Sequence, residues 1–160
     1  MKKVAIVSIA ILGIFGGFYY YKLPQNIKRD SLNTPSETTQ KTKSVNYKAN
    51  FLIYTNGTLR IFTDSRYHNQ SDEVFINSDL PNQVTVLKHG TTWRDFFNTL
   101  PMKLEESCLI TGTEQTFCNN NEFILQFYIN GIKNQKALDE IINDKDKLLI
   151  TYESLDSSII

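Results

Sequence analysis

The sequence predicts an α+β domain, a mixed sheet of β-grasp (ubiquitin-like) arrangement with one main helix and one short helix, standing behind an N-terminal transmembrane helix. Three observations carry this. Two segments, NFLIYTNGTLRIF from Asn50 and EFILQFYINGIK from Glu122, each run an apolar-rich strand into Asn-Gly. That dipeptide supplies the positive φ angles of a two-residue hairpin turn. Between them, QVTVLKHGTTWRDFFNTL reads as a strand, a turn and a capped helix. Ahead of both, Val4 to Tyr21 contains no charge, as a membrane span requires. A small β-sandwich is the alternative arrangement of the same strands.

In chain order, residues 1–22 form the anchor. The uncharged run lies between Lys3 and Lys22 and as a helix reaches roughly 27 Å, close to the thickness of a bilayer's hydrocarbon core. Tyr19, Tyr20 and Tyr21 suit the membrane interface, where a phenol keeps its ring in lipid and its hydroxyl in water. A cleaved signal peptide is the rival reading. Cleavage needs small residues where this run ends in Phe18 and three tyrosines, so retention is expected. Lys2 and Lys3 face Lys22, Lys28 and Arg29 across the span, and charge leaves the orientation open. Residues 23–45 are rich in Ser, Thr, Gln, Asn and Lys with Pro24 and Pro35, the composition of a flexible linker. Lys28, Arg29, Lys41 and Lys43 read there as solvated charges in preference to a lipid-binding patch.

Residues 46–154 form the folded domain, followed by a tail over 155–160. Along the second Asn-Gly strand, Phe123, Leu125, Phe127 and Ile129 share one face and Ile124, Gln126 and Tyr128 the other. Gln83 to Lys88 is a strand and His89-Gly90 a turn. Thr92 caps the main helix and Asp95 returns the bond as a capping box, while Trp93, Phe96, Phe97 and Leu100 form its apolar face. The spacing of Ala137, Leu138, Ile141 and Ile142 predicts a short helix over Lys136 to Ile142. After the charged turn NDKDK, Leu148 to Tyr152 is the last strand.

Cys108 and Cys118 stand in CLITGTEQTFC on either side of Gly112, and a turn there sets two short strands side by side. The pair lacks the C-x-x-C spacing of redox motifs. A structural disulfide is expected, with Cα atoms about 5.5 Å apart; two reduced thiols in the cytosol are the alternative. A persistent bridge requires an oxidising compartment, so the cysteines decide the orientation. The expectation is a single-pass protein of the cell membrane with its C-terminal domain extracytoplasmic.

Lys plus Arg equals Asp plus Glu, so no broad positive field favours nucleic acid, and none is expected as a partner. His68 and His89 are the only histidines, and neither is assigned a metal or catalytic role. Asp139, Glu140, Asn143, Asp144 and Asp146 cluster but lack the central glycine and terminal glutamate of a calcium loop, and read as a solvated charged turn. G-x-S-x-G, P-loop, dinucleotide-glycine and H-E-x-x-H patterns are absent, leaving no catalytic residue, metal site or cofactor to assign, and enzyme activity is not expected. Asn56 and Asn69 each begin an N-x-S/T glycosylation acceptor. The expected function is an anchored binding module for a surface protein, peptide or glycan, with Tyr67 and Phe117 as possible contacts and Trp93 reading as core. Two alternatives stand beside it: a thiol–disulfide redox protein using Cys108 and Cys118, and a small-ligand-binding β-grasp domain. VTVLKHGTTWRDFF is similar to segments of the latter, and an apolar pocket with a few convergent polar groups would favour it.

The blocks ANFLIYTNG, TTWRDFF, CLITGTEQTFCNNN, LQFYINGIKN and DKDKLLITY, in this order over about Ala49 to Tyr152, resemble an uncharacterised family of small membrane-anchored bacterial and archaeal proteins. Its members carry one extracytoplasmic β-rich domain with a paired-cysteine block. The resemblance implies the same anchored topology and paired cysteines, and no established activity. Many members carry histidines suggestive of metal binding, at positions that fall here on Lys48, on Phe75 and Asn77, and on Thr85 and Leu87. None is histidine, and the side chains present are poor transition-metal ligands. The resemblance therefore implies no metal centre in this chain.

Overall fold

The computed structural model describes residues 44–155; the expected anchor Val4–Tyr21, nearly all of the linker and the tail from residue 156 lie outside them. Among the described residues no helix is long and apolar enough to cross a membrane. The strands are β1 (Ser44–Thr55), β2 (Thr58–Arg60), β3 (Val74–Ile76), β4 (Gln83–Lys88), β5 (Lys103–Glu105), β6 (Cys108–Ile110), β7 (Thr116–Cys118), β8 (Phe123–Ile129), β9 (Ile132–Lys133) and β10 (Lys147–Ser154), with helix α1 at Trp93–Asn98. β1 takes in Ser44 and Val45, which composition places at the end of the linker.

The architecture is α+β, one main helix with a mixed sheet. Seven strands form that sheet in the order β3-β4-β1-β10-β8-β9, with β2 also paired to β1. β1 runs parallel to β10 over Asn50–Thr55 and Lys147–Tyr152 and antiparallel to β4, while β8 is antiparallel to β10. β5, β6 and β7 form a separate three-stranded sheet. Local chemistry explains the turns. Asn56 and Gly57 have φ of 51° and 73°, and Asn130 and Gly131 of 53° and 83°, the paired positive values that a type I′ hairpin needs.

In α1 the Thr92 side chain accepts from the Asp95 backbone N–H while Asp95 Oδ2 accepts from the Thr92 N–H at 2.9 Å. The helix buries Trp93, Phe96 and Phe97 in the core, with Phe96 and Phe97 against Phe51 of β1. Phe51 is the hub of this contact, with ring centroids 5.0 Å from Phe62, 5.2 Å from Phe96 and 5.7 Å from Phe97. Such a cluster combines large apolar area with favourable edge-to-face geometry.

The second helix is where the structure departs from the sequence reading. Only Ala137–Asp139 forms a 3-10 turn, while Ile141 bridges to Thr92 and the Ile142 N–H donates to the Thr91 carbonyl at 2.9 Å. Ala137, Leu138 and Ile142 are buried as helical spacing implies, but Ile141 is exposed. Strand-like pairing with the start of α1 captures this stretch before a second helical turn can form.

The outer edge of β8 is closed by side chains. Asn119 Oδ1 accepts from the Leu125 N–H at 2.7 Å, and the Gln135 amide accepts from Phe127 N–H at 3.2 Å and donates to the Leu125 carbonyl at 3.1 Å. Together they stand in for a neighbouring strand and blunt an edge that would otherwise pair with other chains.

Candidate functional site: a groove beside the disulfide hairpin

Beyond the first hairpin the chain turns away from the sheet. His68 Nε2 lies 2.8 Å from the Phe62 carbonyl oxygen, and Phe62 and Tyr67 pack edge to face with centroids 5.1 Å apart. This folded-back segment faces the β6–β7 hairpin across a groove of about 380 Å³. One wall is the consecutive run Leu59–Phe62; the other is the hairpin loop Thr111–Thr113, and Met102, Leu109 and Ile53 complete the apolar surface. The volume is in the range of small-ligand sites.

The Cys108–Cys118 disulfide forms the base of that hairpin. The residues are directly opposite in the β6–β7 register, with Cα atoms 3.9 Å apart, closer than expected. Hydrogen bonds from Asn119 N–H to the Ser107 carbonyl and from Thr111 N–H to the Gln115 carbonyl place this pair, by alternation, at a non-hydrogen-bonded position, where strands approach more closely. Both cysteines are half-buried, and the Tyr152 hydroxyl donates to the Cys118 carbonyl at 3.0 Å. Cross-linking residues 108 and 118 fixes the loop that forms the groove wall.

Two arginines span the rim. Arg60 Nε donates to Thr55 Oγ1 at 2.6 Å and its Nη1 to Gln115 Oε1 at 3.0 Å, and its guanidinium lies 5.1 Å from the Phe117 ring centroid. All three partners are neutral, and no carboxylate among the described residues is in ion-pair range of Arg60. Arg66 donates to the Gly112 carbonyl at 3.2 Å and pairs with Asp64 at 2.8 Å. That side-chain hydrogen bond holds the Asp64 carboxyl below its usual range. Tyr67 lies beside Gly112 at the groove. Tyr67 and Phe117, singled out in the sequence, thus both belong to this neighbourhood. Trp93 belongs to the core, fully buried, with its Nε1 lacking a partner among the described residues.

The other candidates disperse. His89 is exposed in its turn and His68 is used locally. The acidic residues of the last turn have separate structural partners: Asp139 pairs with Arg94, Glu140 accepts from Asn134, Asp144 accepts from the Lys48 N–H, and Asp146 accepts from Asn143 and Asn130. Asp146 is 9% exposed, so the turn is braced as well as solvated. Among the described residues no three His, Cys, Asp or Glu side chains gather as a metal site. Lys48, Thr85 and Phe75 do align across β1, β4 and β3, and Lys48 Nζ and Asn77 Nδ2 donate to Thr85 Oγ1 at 2.7 and 3.3 Å. Three of the five positions singled out by resemblance, Lys48, Asn77 and Thr85, are therefore hydrogen-bonded neighbours, carrying an ammonium, an amide and a hydroxyl.

No protein family, curated protein or solved structure matches this chain. What the structure establishes is a small β-rich α+β domain carrying a disulfide pair, with no cluster of metal-ligating side chains among the described residues.

Proposed function

We propose that this is a β-grasp domain that binds a small ligand in the groove beside the disulfide hairpin. The β-grasp assignment is supported by the order β4-β1-β10-β8 with β1 parallel to β10, and by α1 lying between β4 and β8 in the chain. The observation that carries the binding reading is the groove itself, with apolar walls and a few converging polar groups, Arg60, Arg66 and Tyr67. Val4–Tyr21 serves as a retained anchor that holds the domain outside the cytosol. The Cys108–Cys118 pairing supports that placement, because a stable bridge persists in an oxidising compartment. The chain contains two methionines, Met1 and Met102, and Met102 lines the groove, so the full chain labelled with [13C]methyl methionine carries one reporter inside the site and one reference. Titration with neutral 4-phenyl-1-butanol in lipid nanodiscs should move the Met102 signal saturably and leave Met1 in place. A Met102 signal that does not move, or that moves linearly together with Met1, would reject the groove as a binding site.

A second reading is thiol–disulfide exchange at Cys108 and Cys118, supported by the half-buried position of the pair on a short hairpin. The reduction potential separates the two. A structural bridge falls below about −300 mV, and an exchanging one lies well above it.

A further inference from the structure

We propose that the groove selects an organic anion, an apolar body carrying one carboxylate, and that Arg60 is the cation that anchors it. This rests on the groove being a binding site and adds what it binds. The argument begins with charge. Five ion pairs are present among the described residues, and they draw on Lys88, Arg66 and Arg94; Arg60, half-buried at the rim, has only the hydroxyl of Thr55, the amide oxygen of Gln115 and the face of Phe117. A guanidinium with neutral acceptors retains its full charge and gains most from a carboxylate, whose two oxygens match its planar fork.

Geometry agrees with charge. The groove lining contains Arg60 and Arg66 and no Asp or Glu. The Arg60–Gln115 bond joins the first wall to the β6–β7 hairpin, so exchanging Gln115 for a ligand carboxylate requires one exposed side chain to move and leaves the Thr55 bond in place. Below the rim the ligand meets Ile53, Phe62, Met102 and Leu109, which favour hydrocarbon and reject a second charge at depth. A volume of about 380 Å³ admits a body of phenylalkyl size. Phe117, stacked edge-on against Tyr152 at 5.5 Å, holds the guanidinium from behind and limits its freedom before a ligand arrives.

The test uses the methionine-labelled full chain in nanodiscs at neutral pH with three probes of one shape: 4-phenylbutyrate, 4-phenyl-1-butanol and 4-phenylbutylamine. The expected order at the Met102 signal is butyrate tightest, by at least tenfold over the alcohol, with the amine weakest. Arg60→Gln should bring butyrate and the alcohol to equal affinity, and Arg60→Lys should restore part of the preference. Equal affinity for the acid and the alcohol, or a preference for the acid that survives Arg60→Gln, overturns the anion proposal while the groove remains a binding site. Failure of all three probes to move Met102 removes both readings together.

Discussion

A Cβ placed on Gly112 would lie 2.4 Å from the Tyr67 hydroxyl oxygen and 2.7 Å from the Pro101 carbonyl oxygen. The carbonyl belongs to the backbone and has little room to yield, so Gly112→Ala should cost about 1–3 kcal/mol as an overpacked contact. It should also displace Tyr67 from the groove; urea unfolding and the Met102 signal read the two effects separately. Arg94 is a second decisive residue. It donates to Glu105, Glu106 and Asp139 and ties α1 to the turns that follow β5 and Ala137. The hydrogen bond to Asp139 is the chief cause that raises the Arg94 pKa. Glu106 is held below its ordinary value of 4.5 first by its own backbone N–H and then by Arg94. A lowered carboxyl contributes stability above its unfolded value and loses it as pH falls through the folded one. Arg94→Met should therefore lower stability by about 1 kcal/mol near neutrality, and the gap should close below about pH 4.5. An equal deficit at pH 3 and pH 7 would contradict this account.

Among the elements, the β6–β7 hairpin matters most, because it joins the disulfide to the groove wall. Closing so short a loop restricts the unfolded chain and stabilises the fold by about 2–3 kcal/mol in the chain-entropy model. The double replacement of Cys108 and Cys118 by Ala should lower the unfolding free energy by that amount without changing the fold, and should weaken ligand binding by loosening Thr111–Thr113. Full stability with undiminished binding would contradict both roles. Elements with self-contained local chemistry were legible in the sequence. Thr92 and Asp95 cap α1 as a reciprocal pair, both Asn-Gly turns have positive φ, and β4 has the limits expected of it, Gln83–Lys88. The 3-10 turn at Ala137 was not legible, because the pairing of Ile141 with Thr92 that ends it is a contact across 49 residues. The groove was hidden for the same reason. Its lining runs from Ile53 to Thr113, and neither periodicity nor any motif links those positions. A lone Arg without a carboxylate partner is a property of the folded molecule; of the aromatic loop residues chosen from the sequence, Tyr67 lines the groove and Phe117 packs against the Arg60 guanidinium at its rim.

For the whole molecule, the account joins an anchor, a linker and an outer domain. The proposed anchor predicts that the mature chain keeps Met1–Lys22 and partitions with membranes; recovery of a soluble form beginning after Tyr21 would overturn it. With only His68 and His89 in the sequence, no cluster of metal-ligating side chains among the described residues and the cysteines paired, the domain should bind no zinc or copper more tightly than about micromolar. Stoichiometric metal in a gently purified, tag-free preparation would contradict that. Both expectations depend on where the domain resides, since paired cysteines imply an oxidising compartment and free thiols would add metal ligands. The most direct measurement is thiol labelling of protein quenched in acid from intact cells, denatured without reductant and treated with a maleimide that shifts its mass. The account predicts no added maleimide until reductant is supplied, and two afterwards; addition of two maleimides before reduction would place the domain in a reducing compartment and contradict the disulfide-closed, extracytoplasmic fold.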